Sequence, residues 1–500
     1  MKSQSDSTYF KTRAEDASPD REITVEDIAR VRRKMDFYLM PLLILTFLLQ
    51  CIDKVMLNSV SQIGILEDLH LYTFKYSTSA SEPTQNLQRY SNATLIFYWG
   101  WLVGLTPTAW MAQKLPIGKY LASTAVIWGA ITLLGAAVKN YSGLLAQRFF
   151  LGMVECAVGP GFSIMITMFW TRAEQPLRYS LWYTSIGLAN LLGSLMLFGI
   201  GHIYGKLHLW RYQYLILGAI TVVWGIILVI LLPQNPATAS FLKPEGRVLA
   251  VERMRVEQTG IENKQFKSYQ IRELVRDPTT WILFATVFCL HFTNGALTGF
   301  GSIIINSFEF SHFDSVLLTG AVWGGVLFNC ITAGILGAMF KNARLWIVMA
   351  CEIPVILRAC LVLRLDWSTQ RGDVIFGFIM CGWMAGGYMM ILALVGASVA
   401  GHTKKMFMFG ILWCAYGLSN GISPLTIKKG KVGQHYPTCF YAIIGNASVT
   451  ICGALVLRLY LVRENRRRDR EFGVVTTMAA RELGFKDQTD MVNENFGYSL

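Results

Sequence analysis

The chain has 500 residues, of which 53% are hydrophobic and only 15% are charged. This composition is far more apolar than a soluble protein of this length needs, and it is typical of polytopic membrane proteins. The formal net charge of +13 does not indicate a nucleic-acid partner, because the Lys and Arg residues stand in short runs between apolar segments and near both ends. Basic residues distributed in this way are typical of cytoplasmic anchors.

Apolar windows of about 20 residues predict twelve membrane-spanning helices. Six windows precede a polar segment and six follow it, which predicts an all-α polytopic membrane protein with two six-helix bundles. In chain order the windows are 37–60, 91–112, 119–138, 142–170, 179–204, 212–232, 279–303, 317–340, 344–365, 372–398, 406–425 and 437–461.

The polar segment predicts a cytoplasmic linker, because it opens with the helix-stopping sequence LPQNP and contains eight basic residues. With an even number of spans, the basic clusters at 30–34 and 463–470 fall on the same side as the linker, so both termini are predicted to be cytoplasmic. Lys428, Lys429 and Lys431 disagree with this orientation. The predicted parts are an N-terminal tail (1–36), an N-terminal bundle (37–232), the linker (233–278), a C-terminal bundle (279–461) and a C-terminal tail (462–500).

The fourth window contains the sequence RFFLGMVECAVGPG, in which Arg148 and Glu155 are seven residues apart. Both side chains therefore project from one helix face, roughly 10 Å apart along the axis. A charge in a membrane helix is costly and usually faces a protein interior or a watery cavity. Arg148 is the predicted anion anchor, because its fork of donors fits a carboxylate; a structural ion pair is the alternative. Glu155 is the predicted proton carrier, with a permanently protonated packing residue as the alternative.

Other polar and aromatic residues of the windows are candidates for the same cavity. Asn294 and Asn420 are predicted to supply amide donors to a substrate. Tyr98 and Trp101 are predicted to wall the cavity, although membrane aromatics are mostly packing residues. His291 is a further candidate for proton coupling, but a neutral histidine that is hydrogen-bonded to a helix neighbour is the favoured interpretation.

The cysteines predict neither a disulfide framework nor a metal site. The ten cysteines stand singly, mostly in apolar windows, with no CxxC pair. No nucleophile elbow, phosphate loop or metal-ligand spacing is present in the sequence, so an enzyme is disfavoured and no cofactor is expected.

Several strings along the chain resemble those of the major facilitator superfamily and its anion:cation symporter branch, closest to the fungal allantoate permease family. The strings are RRKMDFYLMPLL at 32–43, CIDKVMLNSV at 51–60, IFYWGWLVG at 96–104, RFFLGMVECAVGPGF at 148–162, FTNGALTGFGSIII at 292–305, VAGHTKKM at 399–406 and ENRRRDREF at 464–472. The resemblance implies two bundles around a central cavity that opens alternately to either side and carries small organic anions with protons.

The resemblance also adds two site residues. Asp53 followed by Lys54 matches the acidic-basic pair of the branch in the outer half of the first helix. The match implies that Asp53 is a second proton carrier and that Lys54 attracts the anion. The alternative is that the pair lies at the water interface and only terminates the helix.

The chain departs from the family at three places. The Ser/Thr-rich stretch Tyr72–Leu87 has the character of an outer-loop insertion or of an error in the gene model. The first inner-gate motif has Gln113 in place of its aspartate. In the second copy, AMFKNARLW at 338–346, Ala338 and Met339 cannot form the charge pairs that hold this gate shut in relatives.

Proton-coupled uptake of allantoate, ureidosuccinate, nicotinate, pantothenate or a similar carboxylate is the leading functional prediction. The expected partners are this anion, protons and the lipid bilayer, with no nucleic acid, and the protein is expected to be a monomer of the plasma membrane. Efflux by antiport is an alternative that the fifth window disfavours, because residues 180–201 contain no proline. A nutrient sensor that does not transport is the other alternative.

Overall fold

The structure is a computed structural model that describes residues 24–61, 63–75, 84–86, 88–255, 265–306, 312–365, 372–373, 376, 380–423, 437–473 and 487–500. Helices occur at all twelve predicted windows. The helices of the N-terminal half are α1 (Val25–Val60), α2 (Ile65–Asp68), α3 (Gln88–Lys114), α4 (Ile117–Gly135), α5 (Tyr141–Glu155), α6 (Val158–Phe169), α7 (Gln175–Tyr183), α8 (Ser185–Ile200) and α9 (Leu209–Leu231).

The linker contains short helices, and the C-terminal half again consists mainly of long helices. The linker helices are α10 (Pro244–Arg255) and α11 (Ser268–Arg276). The C-terminal helices are α12 (Pro278–Asn306), α13 (His312–Met339), α14 (Arg344–Arg364), α15 (Met384–Ser398), α16 (His402–Ile422) and α17 (Pro437–Phe472). In the described part, seven spans are long and apolar enough to cross a membrane by themselves, and α15 is a shorter apolar helix.

Two helical bundles pack side by side. In the first bundle α4 packs on α9, α3 on α5, and α1 on α8; in the second, α12 packs on α16 and α17, and α14 on α15 and α17. The bundles meet where α3 contacts α16 and where α7 and α8 contact α13. A central binding site is therefore expected between the bundles, in the space that lies between these two contact regions.

Two spans are broken rather than continuous. The fourth span ends its first helix at Glu155 and resumes at Val158, just before Pro160, which has no backbone N–H to continue the helical hydrogen bonds. The fifth span is divided at Thr184. A single helix over 142–170 was the prediction, and it is wrong at this break because apolar length alone does not detect it.

The stretch Tyr72–Leu87 begins and ends as a small antiparallel hairpin. Strand β1 (Thr73–Lys75) pairs with β2 (Thr84–Asn86), and Phe74 lies opposite Gln85. Residues 76–83 and 87 lie outside the described ranges, as do Lys428, Lys429 and Lys431. We call the end of the bundles beside this hairpin the hairpin face and the opposite end, with α10 and α11, the linker face.

Three tryptophans from different helices close the path between the bundles on the side of the linker face. Trp101 of α3, Trp182 of α7 and Trp413 of α16 are each fully buried. Ring centroids are 6.1 Å apart for Trp101 and Trp413 and 6.3 Å apart for Trp182 and Trp413. Trp413 also packs directly on Gly159, where a Cβ atom would come within 2.5 Å of the indole. We call these three rings the tryptophan seal.

Candidate functional site

A cavity of about 130 Å³ lies between the two bundles, on the hairpin side of the tryptophan seal. Its lining is mixed, with two cations, several amides and several aromatic rings. The polar and aromatic lining residues are Lys54, Asn58, Tyr90, Ser91, Thr94, Phe97, Tyr98, Arg148, Asn190, Asn294, Trp323, Tyr416 and Asn420. Small-molecule sites commonly have this form, a concave and mostly apolar space with a few polar groups.

Glycines bring α3 and α5 close enough to present their side chains to one cavity. A Cβ atom at Gly152 would lie 2.0 Å from the carbonyl oxygen of Phe97, and one at Gly100 would lie 2.0 Å from that of Phe149. Only glycine fits where two helix backbones approach so closely. This contact places Tyr98 and Arg148 side by side in the cavity wall.

Arg148 is a cation with unused donors at the cavity. Its side chain is 2% exposed, and its Nε and Nη2 atoms have no hydrogen-bond partner within the described part of the chain. A buried guanidinium with unmet donors is costly unless a ligand or water satisfies them. Glu155 does not satisfy them, because neither nitrogen bonds to its carboxylate. The alternative of a structural ion pair between Arg148 and Glu155 is therefore not formed as a hydrogen-bonded pair.

Lys54 is the second cation of the cavity and lies against aromatic faces. Its Nζ atom is 4.2 Å from the ring centroid of Trp101 and 5.5 Å from that of Tyr416. An ammonium over such faces gains about 0.5–2 kcal/mol. Lys54 therefore lies in the cavity wall with its ammonium over aromatic rings.

Asp53 points away from the cavity into the N-terminal bundle. Its side chain is fully buried, and its Oδ2 atom accepts hydrogen bonds from Trp128 Nε1 at 2.7 Å and from Thr132 Oγ1 at 2.6 Å. Helix α1 continues to Val60, so the pair at 53–54 does not terminate it. The alternative of a helix end at the water interface is therefore wrong.

Glu155 lies at the break of the fourth span, where it is fully buried. Its backbone carbonyl accepts a hydrogen bond from Gln50 Nε2 at 2.8 Å. Its carboxyl group interacts electrostatically with Asp53, Lys54 and Arg148, so these four groups form one charge cluster. With all four ionised, the formal charges cancel.

The C-terminal bundle contributes a pair of amides to the cavity. Asn294 Nδ2 donates to Asn420 Oδ1 at 2.7 Å, and Asn420 Nδ2 donates to the carbonyl of Tyr416 at 2.8 Å. Gly295 permits this contact between α12 and α16, since a Cβ atom there would be 2.7 Å from Asn420 Cα. The sequence predicted both amides as cavity residues but not that they bond to each other.

His291 lies beside the cavity and not in its lining. Both ring nitrogens are buried without a hydrogen-bond partner in the residues the structure describes. The prediction of a bond to a helix neighbour is therefore wrong. The imidazole lies instead between the rings of Tyr388 and Tyr416, with centroid distances of 4.3 Å and 4.7 Å.

Tyr98 lines the cavity as predicted, whereas Trp101 belongs to the seal beneath it. Sequence reasoning missed the cavity residues Asn58, Asn190 and Tyr416. Asn58 and Asn190 had a usable signal, because an amide within an apolar span needs a hydrogen-bonding partner. Tyr416 had none, since aromatic residues are abundant in every span.

The arrangement is suited to binding and moving an ion and not to covalent chemistry. Two cations and four amides line one cavity, and two buried carboxyls lie behind the cations. The described residues contain no group of three or more metal-ligating side chains. A bound anion can be held by the cations while a carboxyl of the cluster takes up a proton.

The family model described as Major Facilitator Superfamily matches residues 42–424. An uncharacterized transporter of Schizosaccharomyces pombe is 30% identical over 485 residues, which cover 96% of this chain and 87% of the relative. The allantoate permease of Saccharomyces cerevisiae is 29% identical over an alignment of 502 residues, gaps included, and the match covers 96% of this chain and 88% of the permease.

Two solved structures have the same fold at low sequence identity. The proton:xylose symporter XylE has a TM-score of 0.65 at 13% identity, covering 85% of this chain and 95% of its own. FucP in its outward conformation has a TM-score of 0.60 at 13% identity, and the match covers 84% of this chain and 98% of FucP. The predicted all-α fold of twelve spans in two six-helix bundles is confirmed. The chain belongs to the major facilitator superfamily and is a membrane transporter, not an enzyme.

Proposed function

We propose that this transporter takes up a small organic anion together with protons, as a member of the anion:cation symporter branch close to the allantoate permeases. One observation carries the proposal. Arg148 lines the cavity with two guanidinium nitrogens that have no partner in the described residues. A planar fork of free donors in an enclosed space is complementary to a carboxylate.

The remaining lining supports the same substrate class. Lys54 adds a second positive charge, and Asn294 and Asn420 add amides that can orient the rest of the molecule. Tyr98 provides a flat wall. Allantoate, ureidosuccinate, nicotinate and pantothenate each combine a carboxylate with polar groups, and the similarity to the allantoate permease favours this group.

Proton coupling is assigned to the carboxyls of the charge cluster. Glu155 is the first candidate, because its carboxyl is fully buried and interacts with both cavity cations. When a substrate carboxylate engages Arg148, the cluster gains a negative charge that a proton on Glu155 neutralises. Asp53 is the second candidate. His291 is a third, held between two tyrosines next to the cavity.

The orientation follows from the basic residues. We place the linker face and both termini in the cytoplasm and the hairpin face outside the cell, in the plasma membrane. The protein is proposed to be a monomer. Its proposed parts are the tails at 1–36 and 462–500, the bundles at 37–232 and 279–461, and the linker at 233–278. In this orientation the cavity lies on the outer side of a seal that is closed toward the cytoplasm.

Uptake into proteoliposomes tests the function. Labelled allantoate, ureidosuccinate, nicotinate and pantothenate are each offered with and without an inward proton gradient. We expect at least one to accumulate only when the gradient is present. Binding without movement of any of them indicates a sensor, and movement against the proton flux indicates efflux by antiport; either result contradicts the proposal.

The proton carrier is tested with Glu155→Gln, which keeps the shape of the side chain and removes its titratable group. We expect this variant to exchange labelled for unlabelled substrate across the membrane but not to accumulate it. The matched control is Glu352→Gln, the same change in a buried carboxyl that does not line the cavity. If Glu155→Gln still concentrates substrate under a pH gradient, Glu155 does not couple and Asp53 becomes the candidate.

A further inference from the structure

Residues 487–500 fold back onto the linker face instead of extending away from it. We call this segment the strap. Thr489, Asp490, Asn493 and Phe496 are each at most 5% exposed, so the segment is packed into the protein. Its last residues bond to the start of α14, where the Arg344 backbone N–H donates to the Leu500 carbonyl at 3.3 Å.

One end of the strap is held to the C-terminal bundle by Lys404 of α16. Lys404 Nζ lies 2.9 Å from Asp490 Oδ1, 2.8 Å from Glu273 Oε1 and 3.2 Å from Asp277 Oδ2. The Lys404 side chain is 1% exposed. Because the ammonium and its carboxylates are shielded from water, loss of either partner would leave a buried charge. This anchor therefore holds the strap firmly.

The middle of the strap is held by Arg468 at the end of α17. Its Nη1 atom donates to the carbonyl oxygens of Asp490 at 2.9 Å, Asn493 at 3.2 Å and Phe496 at 3.1 Å. Its Nη2 atom donates to the Tyr498 hydroxyl at 3.1 Å. One guanidinium thus fixes the curved path of the strap over the nine residues from Asp490 to Tyr498.

Contact with the N-terminal bundle is made through Arg172, between α6 and α7. Arg172 Nη1 donates to the Gly497 carbonyl at 2.9 Å, and its guanidinium lies 4.6 Å from the ring centroid of Phe496. The carbonyl of Arg172 in turn accepts from Arg344 Nη2 at 2.6 Å. Among the contacts seen in the described residues, several buried groups bond the strap to the C-terminal bundle, and Arg172 bonds it to the N-terminal bundle.

The strap lies where the second inner-gate motif is eroded. Ala338 and Met339 at the end of α13 carry no charge, and Met339 is 67% exposed. We propose that the strap is a working part of the gate on the linker face: it stays on the C-terminal bundle and holds the N-terminal bundle through Arg172. Opening of this face then breaks the Arg172 contacts with Phe496 and Gly497 and leaves the Lys404 and Arg468 anchors intact.

The proposal rests on alternating access in the proposed function, so its test reads bundle separation directly. Thr167→Cys supplies the reporter, because Thr167 of α6 packs on Gly396 of α15 across the two bundles. The purified protein in nanodiscs is labelled with a hydrophilic maleimide, and the rate is corrected for the parent chain. No substrate is needed, so the result does not depend on whether an anion is transported.

Phe496→Leu and Arg172→Gln are each combined with the reporter. Both changes remove the aromatic-cation contact, and we expect each to raise the labelling rate about tenfold by favouring the open linker face. The double variant should label within about twofold of Arg172→Gln alone, because that change already removes the contact with Phe496. Val492→Ala, an exposed site in the same strap, is the matched control and should label like the parent.

Three outcomes overturn the proposal. The first is an unchanged labelling rate in a folded Phe496→Leu or Arg172→Gln variant. The second is an additive effect in the double variant, which would show two independent disturbances. The third is an equal rise in Val492→Ala, which would show general loosening of the strap. Elution as a single peak and a thermal unfolding midpoint near that of the parent establish that each variant is folded.

Discussion

Replacement of Arg148 by lysine tests the anion site most directly. Lysine keeps the positive charge at the cavity but replaces a planar fork of donors by a single ammonium. In the structure, Nε and Nη2 of Arg148 are both without a partner in the described chain, so two donors are available to one carboxylate. The lysine variant can offer only one well-directed bond from a similar position. We therefore expect Arg148→Lys to weaken binding without abolishing it.

The magnitude follows from the lost bond. A hydrogen bond between charged groups contributes about 1.5–3 kcal/mol, and each 1.4 kcal/mol is tenfold in affinity. Loss of one of two such bonds should weaken substrate binding by about 10- to 100-fold. The effect should vanish for a methyl ester of the substrate, because the ester has no carboxylate for the fork to hold.

Substrate exchange across proteoliposome membranes measures this affinity without the proton gradient. The matched control is Arg211→Lys, which makes the same replacement in an arginine that packs on Trp210 and does not line the cavity. This control should leave the half-saturating concentration unchanged within about twofold, since no cavity bond is lost. Two results refute the assignment of Arg148 as the carboxylate anchor. One is an Arg148→Lys variant whose affinity for the substrate lies within about threefold of the parent. The other is a variant that binds the substrate and its methyl ester with equally reduced affinity.

Three further predictions concern packing and topology. Gly152→Ala should lower the thermal unfolding midpoint measured by tryptophan fluorescence, because the added methyl meets the Phe97 carbonyl and overpacking costs about 1–3 kcal/mol; Gly445→Ala, where the methyl meets open space, is the control. Deletion of Tyr72–Leu87 should leave folding and delivery to the membrane intact, since the stretch is polar and lies at one face; retention of the variant inside the cell would show that it packs on the bundles. Tags at both termini and within 233–278 should resist external protease in intact cells, and surface labelling of any one of them would contradict the proposed orientation.

Much of the fold could be predicted because hydrophobic length is a direct physical requirement of the bilayer. The twelve windows and the linker follow from this requirement. Hydrophobic length did not predict the break after Glu155, because Val158–Phe169 is at least as apolar as the helix before it; the available signal was Pro160 between two glycines. The folded-back strap was missed for a different reason: its Asp, Asn and Gly residues are typical of a loop until Lys404 and Arg468 are seen to hold them.

The candidate site was predictable where a residue is costly in a membrane. Arg148 and Glu155 stood out as charges in an apolar span, whereas Asp53 and Lys54 were added by the family resemblance; the structure brings all four into one cluster. The direction of each side chain was not predictable, because it depends on helix rotation and packing. Asp53 and Lys54 are adjacent in the chain, yet one bonds to Trp128 inside the bundle and the other faces the cavity.

The tryptophan seal gives the transport cycle an expected dependence on temperature. Trp101, Trp182 and Trp413 are fully buried where the two bundles meet, so opening of the linker face must wet part of their surface. Exposure of about 200 Å² of apolar surface costs about 5 kcal/mol. This cost is largely entropic near room temperature and falls on cooling. Cold should therefore shift the resting protein toward an open linker face, while added salt should leave the seal itself intact.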